Sequence, residues 1–321
     1  MGNEPKGHHY VAAFHLAGFT LSGTKDGELF VLDQKQGKQW KNSPLRTARE
    51  NNFNRVDLEG LDPMGIEKGF SKMEDLSATV IRELVSSKQL PTNEDDFNVL
   101  LNFVALTAAR VQSVRHLHSE RIDKIMDDIS RMAFLGTDGD KVLRKLAEAG
   151  GETLSDDVVL KIQDCIANKH FTYDMDKNWH IGTTMEAVNV LLPALAKRNW
   201  AVWTVADDAP DLVCSDWPVV PIPTQPFPPL LSPNFGTLKT LLTVPLTRRV
   251  LLASQFEPFP SDSYIMDSED VALMNTYRAM YAKQIYSAEK NWTMIANGGV
   301  VDGQLLIDGP PCDETEKEKA E

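Results

Sequence analysis

The stretch "HHYVAAFHLAGF", His8 to Phe19, places three histidines among apolar and aromatic residues. An imidazole titrates near neutrality, so it can accept a proton or ligate a metal. The same pattern also describes an amphipathic first helix with histidines along its edge. Glu67 and Glu74 stand seven residues apart, two turns along one edge of a helical pattern, with Ser71 between them. That edge borders an apolar face, where a half-buried carboxylate gains the raised pKa that general acid–base work uses. The competing reading is two solvated surface acids. Further on, Arg115 and His118 interrupt an apolar stripe, with Arg110 at its edge one turn before. A guanidinium facing a core needs either a buried acid or an anionic ligand. "DLVCSDWPVV" presents Ser215 and Asp216 at a strand end before an x-Pro step. Asp there either caps the turn or offers a carboxylate at the lip of a cleft. Asn275 and Arg278 face inward on a late helical pattern, satisfying backbone groups or contacting a ligand.

The elements that must position these residues follow from periodicity. Asp26-Gly27 and Gln36-Gly37 bracket "ELFVLDQ" and predict short antiparallel strands. Ile66, Phe70, Met73, Ser77, Val80 and Leu84 line one face of a helix over 65–88, which Pro91 ends. From Glu94 to Phe134 the apolar residues run at a 3–4 spacing through Leu101, Val104, Ala108, Val111, Ile122, Ile125, Ile129 and Met132. That predicts one long helix. Helices follow at about 140–149, 155–168 and 182–198. "WAVWTVA" and "DLVCS" read as strands around the turn "DDAPD", and "TLLTVPLTRRVLLAS" as two strands joined at Pro245–Arg248. Pro218 to Pro233 holds seven prolines in sixteen residues and reads as a surface loop, or as a polyproline ligand. A helix from Ser268 to Ser287, with Val271, Asn275, Arg278, Ala282 and Ile285 on one face, and a strand near "WTMIA" close the fold. The class is α+β: an antiparallel sheet packed with a largely helical middle layer. The expected organisation is an N-terminal segment 1–64 with a short helix and hairpin, a helical layer 65–199, strands and a closing helix 200–310, and a disordered acidic tail 311–321. The whole is read as one packed unit.

A chain of 321 residues with 42% hydrophobic content can bury a large core. The net charge of −13 argues against broad binding to duplex DNA, which depends on many cationic contacts to phosphate. A local basic pocket for a small anion or nucleotide stays compatible with it. Cys165, Cys214 and Cys312 are odd in number and form no zinc spacing, which suits the reducing cytosol. "MGNEPKG" has no apolar signal core, and the longest apolar run, "VNVLLPALA", is too short to span a bilayer. No G-x-S-x-G, P-loop, G-x-G-x-x-G or H-E-x-x-H occurs. These features predict a cytoplasmic protein with no membrane contact.

The motifs together resemble the domain of unknown function 4238 family. "HYVAAFHLAGF" is similar to its opening His-Tyr-Val-Pro-x-Phe-Tyr-Leu-x-x-Phe, and "LFVLD" to its following strand. An acid like Glu74, an arginine element over Arg110 to Arg115, a Ser/Thr-Asp-x-Pro-Val element at Ser215 to Val219, and a late helix with Asn275, Ala282 and Ser287 come in the same order. The resemblance covers roughly residues 8–290. Ala12 and Gln112 replace prolines of the family pattern, and the second replacement leaves the predicted long helix uninterrupted. The resemblance implies a shared constellation and no assigned reaction.

His9, Glu74, Arg110, Asp216 and Asn275 match both readings. The expectation is a hydrolase-like enzyme for an anionic substrate, a phosphoester or nucleotide among the candidates. His9, Glu74 and Asp216 are its catalytic groups and also its candidate ligands for Mg, Mn or Zn. Arg110 would clamp the anion, with Asn275 and Ser215 contacting substrate. The alternatives are a small-anion or nucleotide sensor using the same pocket without turnover, and a structural hydrogen-bond network.

Overall fold

The structure is a computed structural model that describes residues 7–55, 62–170, 177–226, 233–304 and 306, with the side chains of all but 112–122 and 177–178. The expected tail over 311–321, the side chains of Arg115, His116 and His118, and part of the proline-rich passage lie outside the described residues. The chain divides into two compact units: Met1–Gln112 with Ile181–Glu321, and Ser113–His180.

The first unit opens with β1 (Gly7–His9), α1 (Ala13–Ala17), β2 (Leu29–Asp33), β3 (Lys38–Asn42) and β4 (Arg49–Asn51). The predicted hairpin is β2–β3, and Gly37 takes the φ of +59° that its turn requires. The opening histidines are on a strand as well as a helix: His8 and His9 lie on β1, which pairs antiparallel with β4, and His15 on α1.

Helix α2 (Gly65–Ser87) buries Phe70, Ser77, Val80 and Leu84, the predicted face. It ends at Lys88, which adopts the left-handed conformation. Helix α3 (Glu94–Ala109) begins where the Asn93 side chain accepts the Asp96 N–H at 2.7 Å, with three acids in the first turn to meet the helix dipole. Nearly every residue from Leu100 to Ala109 is buried, and each large one contributes about 1.5–3 kcal/mol of apolar burial.

The expected long helix is two. Helix α3 ends at Ala109, and α4 (Gln112–Phe134) starts after a break at Arg110 and Val111. The 3–4 spacing continues across the break, so periodicity does not register it. Beyond it the stripe is not a core face: Ile125, Ile129 and Met132 are 55%, 52% and 80% exposed. Gln112 stands at the first helical position of α4, where proline fits because that N–H has no intrahelical partner. Gln112→Pro is therefore expected to change unfolding stability by no more than about 1 kcal/mol. Ala105→Pro, inside α3, should cost about 3 kcal/mol or more. Thermal melts of the two variants check this, and equal losses would contradict the break.

The second unit holds most of α4, with α5 (Gly139–Ala149) and α6 (Asp156–Ala167). Arg131 ties it together, bonding Asp127 at 3.2 Å and donating to the Ala167 carbonyl at 2.9 Å. Helix α7 (Lys177–Ala196) leads back into the first unit, carrying Pro193 inside it.

There follow β5 (Asn199–Val205), β6 (Cys214–Ser215), β7 (Val220–Pro223), β8 (Thr240–Thr247), β9 (Val250–Gln255), β10 (Ser263–Met266), α8 (Ser268–Tyr281), β11 (Gln284–Ser287), β12 (Thr293–Ala296) and β13 (Gly299–Asp302). The larger sheet runs β10-β5-β9-β8-β7, antiparallel except for the parallel β10–β5 pair. Alternate residues face opposite ways. Leu242, Val244 and Leu252 pack in the cluster with α2, α3 and α7, while Leu241, Leu251 and Ala253 join Val271 and Met274 of α8. Burial on both faces explains the continuous apolar run of β8 and β9. A second sheet, β3-β2-β11-β6, joins the N-terminal hairpin to a late strand.

Four expectations change here. "WAVWTVA" and "DLVCS" belong to different sheets, and only Cys214–Ser215 of the latter is strand. Pro245 lies within β8, at a register shift where a missing N–H is tolerated, and the turn falls at Arg248–Arg249. The proline-rich passage begins not as a loop but as β7, paired with β8. The late helix stops at Tyr281. "QIYS" is β11, where Ile285 and Tyr286 are buried between β2 and β6, so Ile285 is no part of the helix face.

Candidate functional site

Strand β1 is extended, so adjacent histidines face apart. His8 is buried, and its Nδ1 accepts the Asn54 N–H at 2.9 Å. Because that lone pair is taken, the 3.7 Å approach of Glu67 to Nδ1 is not a hydrogen bond; Glu67 instead accepts from the Asn54 side chain at 2.7 Å. Glu67 and Glu74 thus serve different neighbours, although one helix edge carries both.

His9, Glu74 and Arg110 come together. The Arg110 guanidinium donates to Glu74 Oε1 at 2.7 Å and to the main-chain carbonyl of His9. It also lies 4.7 Å from the centroid of the Phe70 ring. Arg110 is 3% exposed, and its position at the end of α3 aims it at both partners. Both sequence readings of a core-facing arginine were open, and the structure pairs this one with an acid. His9 is held below the ordinary imidazole pKa, chiefly by burial, with Arg49 and Arg110 acting the same way; Glu74 and the Pro44 carbonyl oppose them. Its Nε2 is buried without a hydrogen-bond partner.

Asp216 lies in a different setting. Its carboxylate accepts the backbone N–H groups of Lys283 at 3.0 Å and Gln284 at 3.2 Å, where the chain leaves α8 and enters β11. Burial raises its pKa against those donors. Tyr10 and Tyr286 stand beside it and bond to each other; burial pushes Tyr10 up to about 12 and Tyr286 well above its usual value. Sequence reasoning missed both tyrosines, although one follows His9 directly and the other lies in "IYS". Ser215 Oγ accepts from the Trp217 N–H at 3.1 Å and donates to the Trp217 carbonyl at 2.8 Å, closing a local turn. Asn275 accepts from Val213 N–H at 2.9 Å and donates to the Asp211 and Thr293 carbonyls at 3.1 and 3.0 Å. It stitches α8 to the segment before β6 and to β12.

A family model described as a protein of unknown function, DUF4238, matches residues 7–291. The chain belongs to this family. No curated protein and no solved structure matches it. The DUF4238 match runs from β1 to just beyond β11 and includes all six sequence-selected residues.

Among the described residues of this DUF4238 protein, no three His, Cys, Asp or Glu side chains are gathered to hold a metal ion. His9, Glu74 and Asp216 do not form the ligand set expected of them: Arg110 occupies Glu74, and backbone amides occupy Asp216. No helix among the described residues is long and apolar enough to cross a membrane. A further buried group went unread beyond its inward direction. Arg278 is wholly buried, donating to the Met274 carbonyl at 3.0 Å and Thr243 Oγ1 at 3.3 Å, and burial lowers its pKa to about 10. It sits near His15, whose Nε2 donates to the Pro245 carbonyl at 2.7 Å, and near Cys214, whose thiol burial raises to about 12.

Proposed function

We propose that the protein is a hydrolase-like enzyme acting on a small anionic substrate, with His9 as its general base. One observation carries the reading: His9 is kept neutral by burial while its Nε2 has no protein partner. A neutral imidazole with a free lone pair can take a proton from a substrate hydroxyl or a water admitted beside it. Glu74, beside it, favours the imidazolium that results, as the direction of its effect on His9 requires. Arg110 then positions Glu74 and the His9 main chain and is not the substrate clamp. The free cysteines, Cys165 exposed and Cys214 buried, suit a cytoplasmic setting.

The test is a panel of phosphate monoesters, diesters and nucleotides incubated with the full chain and with His9→Gln. The variant should lose about 10²–10⁴-fold in kcat while melting close to the parent. Equal rates, or no turnover by the parent across the panel, would overturn the reading. A structural hydrogen-bond network is the second reading. It is favoured by Arg110, Ser215 and Asn275 already being bonded to protein partners. It expects neither product nor ligand-induced stabilisation at His9 with any member of the panel.

A further inference from the structure

Away from His9, a cavity of about 470 Å³ opens between the end of α1 with its following loop, the outer half of α2, and the β8–β9 turn. Three cations line it, Lys25, Arg82 and Arg248, together with the hydroxyl-bearing residues Thr20, Ser22 and Thr247. Not one Asp or Glu does. In a chain with 46 acids and 33 bases that segregation is the opposite of the average surface. The acids next in sequence face elsewhere: Asp26 lines a separate depression with Glu28 and Lys41, and Glu83 another with Leu90 and Asn93. Arg248 bonds Asp211 at 2.8 Å, but Arg249 shares the same carboxylate at 3.2 Å, so two guanidinium groups divide one negative charge.

The floor and the loop are fixed. Gly18 lets the end of α1 approach β8 closely, since a Cβ there would stand 2.7 Å from the Leu246 carbonyl oxygen. The Arg248 N–H donates to the Gly18 carbonyl at 2.9 Å. Thr20 Oγ1 donates to the Ala17 carbonyl at 2.9 Å, and Ser22 Oγ lies 2.9 Å from Thr24 Oγ1. Phe14, Ile81, Val85 and Leu246 make the rest of the wall apolar. His15 belongs to that wall too. Its Nε2 donates to Pro245, so its Nδ1 is a lone pair, buried and without a protein donor.

We propose that this cavity is a binding site for a phosphate monoester of mononucleotide size, the cations and the Ser22 and Thr247 hydroxyls taking the phosphate and the apolar wall the organic body. A dianionic phosphate carries more charge and one more terminal oxygen than a carboxylate, so it can use more of these donors at once. The volume lies within the usual range of small-molecule sites. None of His9, Glu74, Arg110, Asp216 or Asn275 lines the cavity, so binding here is independent of turnover at His9.

Isothermal titration calorimetry on the full chain at low salt tests it, with adenosine 5′-monophosphate, adenosine and inorganic phosphate as probes. The monophosphate should bind at least about tenfold tighter than adenosine. Arg82→Gln and Lys25→Gln should each weaken it by about tenfold, and added salt should weaken it further. Glu83→Gln and His9→Gln should leave it unchanged. The proposal is overturned if the monophosphate binds no tighter than adenosine, or if the Arg82→Gln and Lys25→Gln double variant, folded by its melting curve, keeps the parent affinity. It is also overturned if His9→Gln abolishes binding, which would move the ligand to the other cluster.

Discussion

Arg110→Ala is expected to lower the free energy of unfolding by about 3 kcal/mol. The truncation removes the 2.7 Å bond to Glu74, the bond to the His9 carbonyl and the stacking over Phe70 at once. It also leaves Glu74 without its cation. Glu74 is about a quarter exposed, so water re-solvates much of that charge. That relief keeps the cost at the lower end of what breaking a buried pair brings. Glu74→Gln should cost less, about 1–2 kcal/mol, because the amide oxygen still accepts from Arg110. The double substitution should fall short of the sum of the singles by about 1 kcal/mol, the mark of residues in contact. Urea unfolding of the four proteins measures all of this. A loss under about 1 kcal/mol for Arg110→Ala would mean that the guanidinium is not committed to the fold, and the anion-clamp reading of Arg110 would return.

What the sequence could and could not disclose follows from the range of the interactions involved. The face of α2 and the β2–β3 hairpin were legible because their signals are local: a 3–4 repeat from Ile66 to Leu84, and two turns at fixed distance from a strand. The interruption at Arg110–Val111 was not. One non-helical step barely disturbs the apolar phase, and glutamine replaces the proline that would have marked it. "QIYS" was misread for a related reason. Ile285 continues the helical phase of Val271, Asn275 and Arg278, and only its pairing with β2 and β6, far away in sequence, makes it strand. At the site, residue type identified the polar groups that must be satisfied, but not their partners. The Arg110 acceptors are 36 and 101 residues away, and no local pattern encodes either. The basic cavity escaped for the same reason: Lys25, Arg82 and Arg248 are unremarkable singly, and only the fold sets them on one wall.

Acid should destabilise the protein well before its carboxylates titrate, and His15 should be the main single source. Its pKa in the folded state is about 4, against 6.5 when unfolded: burial is the leading cause, the Arg278 charge acts the same way, and the Pro245 carbonyl opposes both. A lowered histidine pKa means that the unfolded chain takes up the proton first. Stability is therefore fully present above pH 6.5, falls as the pH drops from 6.5 towards 4, and levels off below. At about 1.4 kcal/mol per pH unit, the full interval is on the order of 3 kcal/mol. His9 adds a loss of the same sign. Asp216 works in the opposite direction, because its raised pKa lets the folded state hold a proton that the unfolded chain has released. Its contribution, between 3.8 and that raised value, offsets part of the loss at the acid end. His15→Gln keeps an N–H for the Pro245 carbonyl and cannot take up a proton. Between pH 7.5 and 4.5 its denaturation midpoint should drop much less than that of the parent, with about 2–3 kcal/mol of the pH dependence removed. Parallel curves for parent and variant would show that His15 is protonated in the folded state or reached by water, and the buried neutral imidazole between α1 and β8 would have to be abandoned.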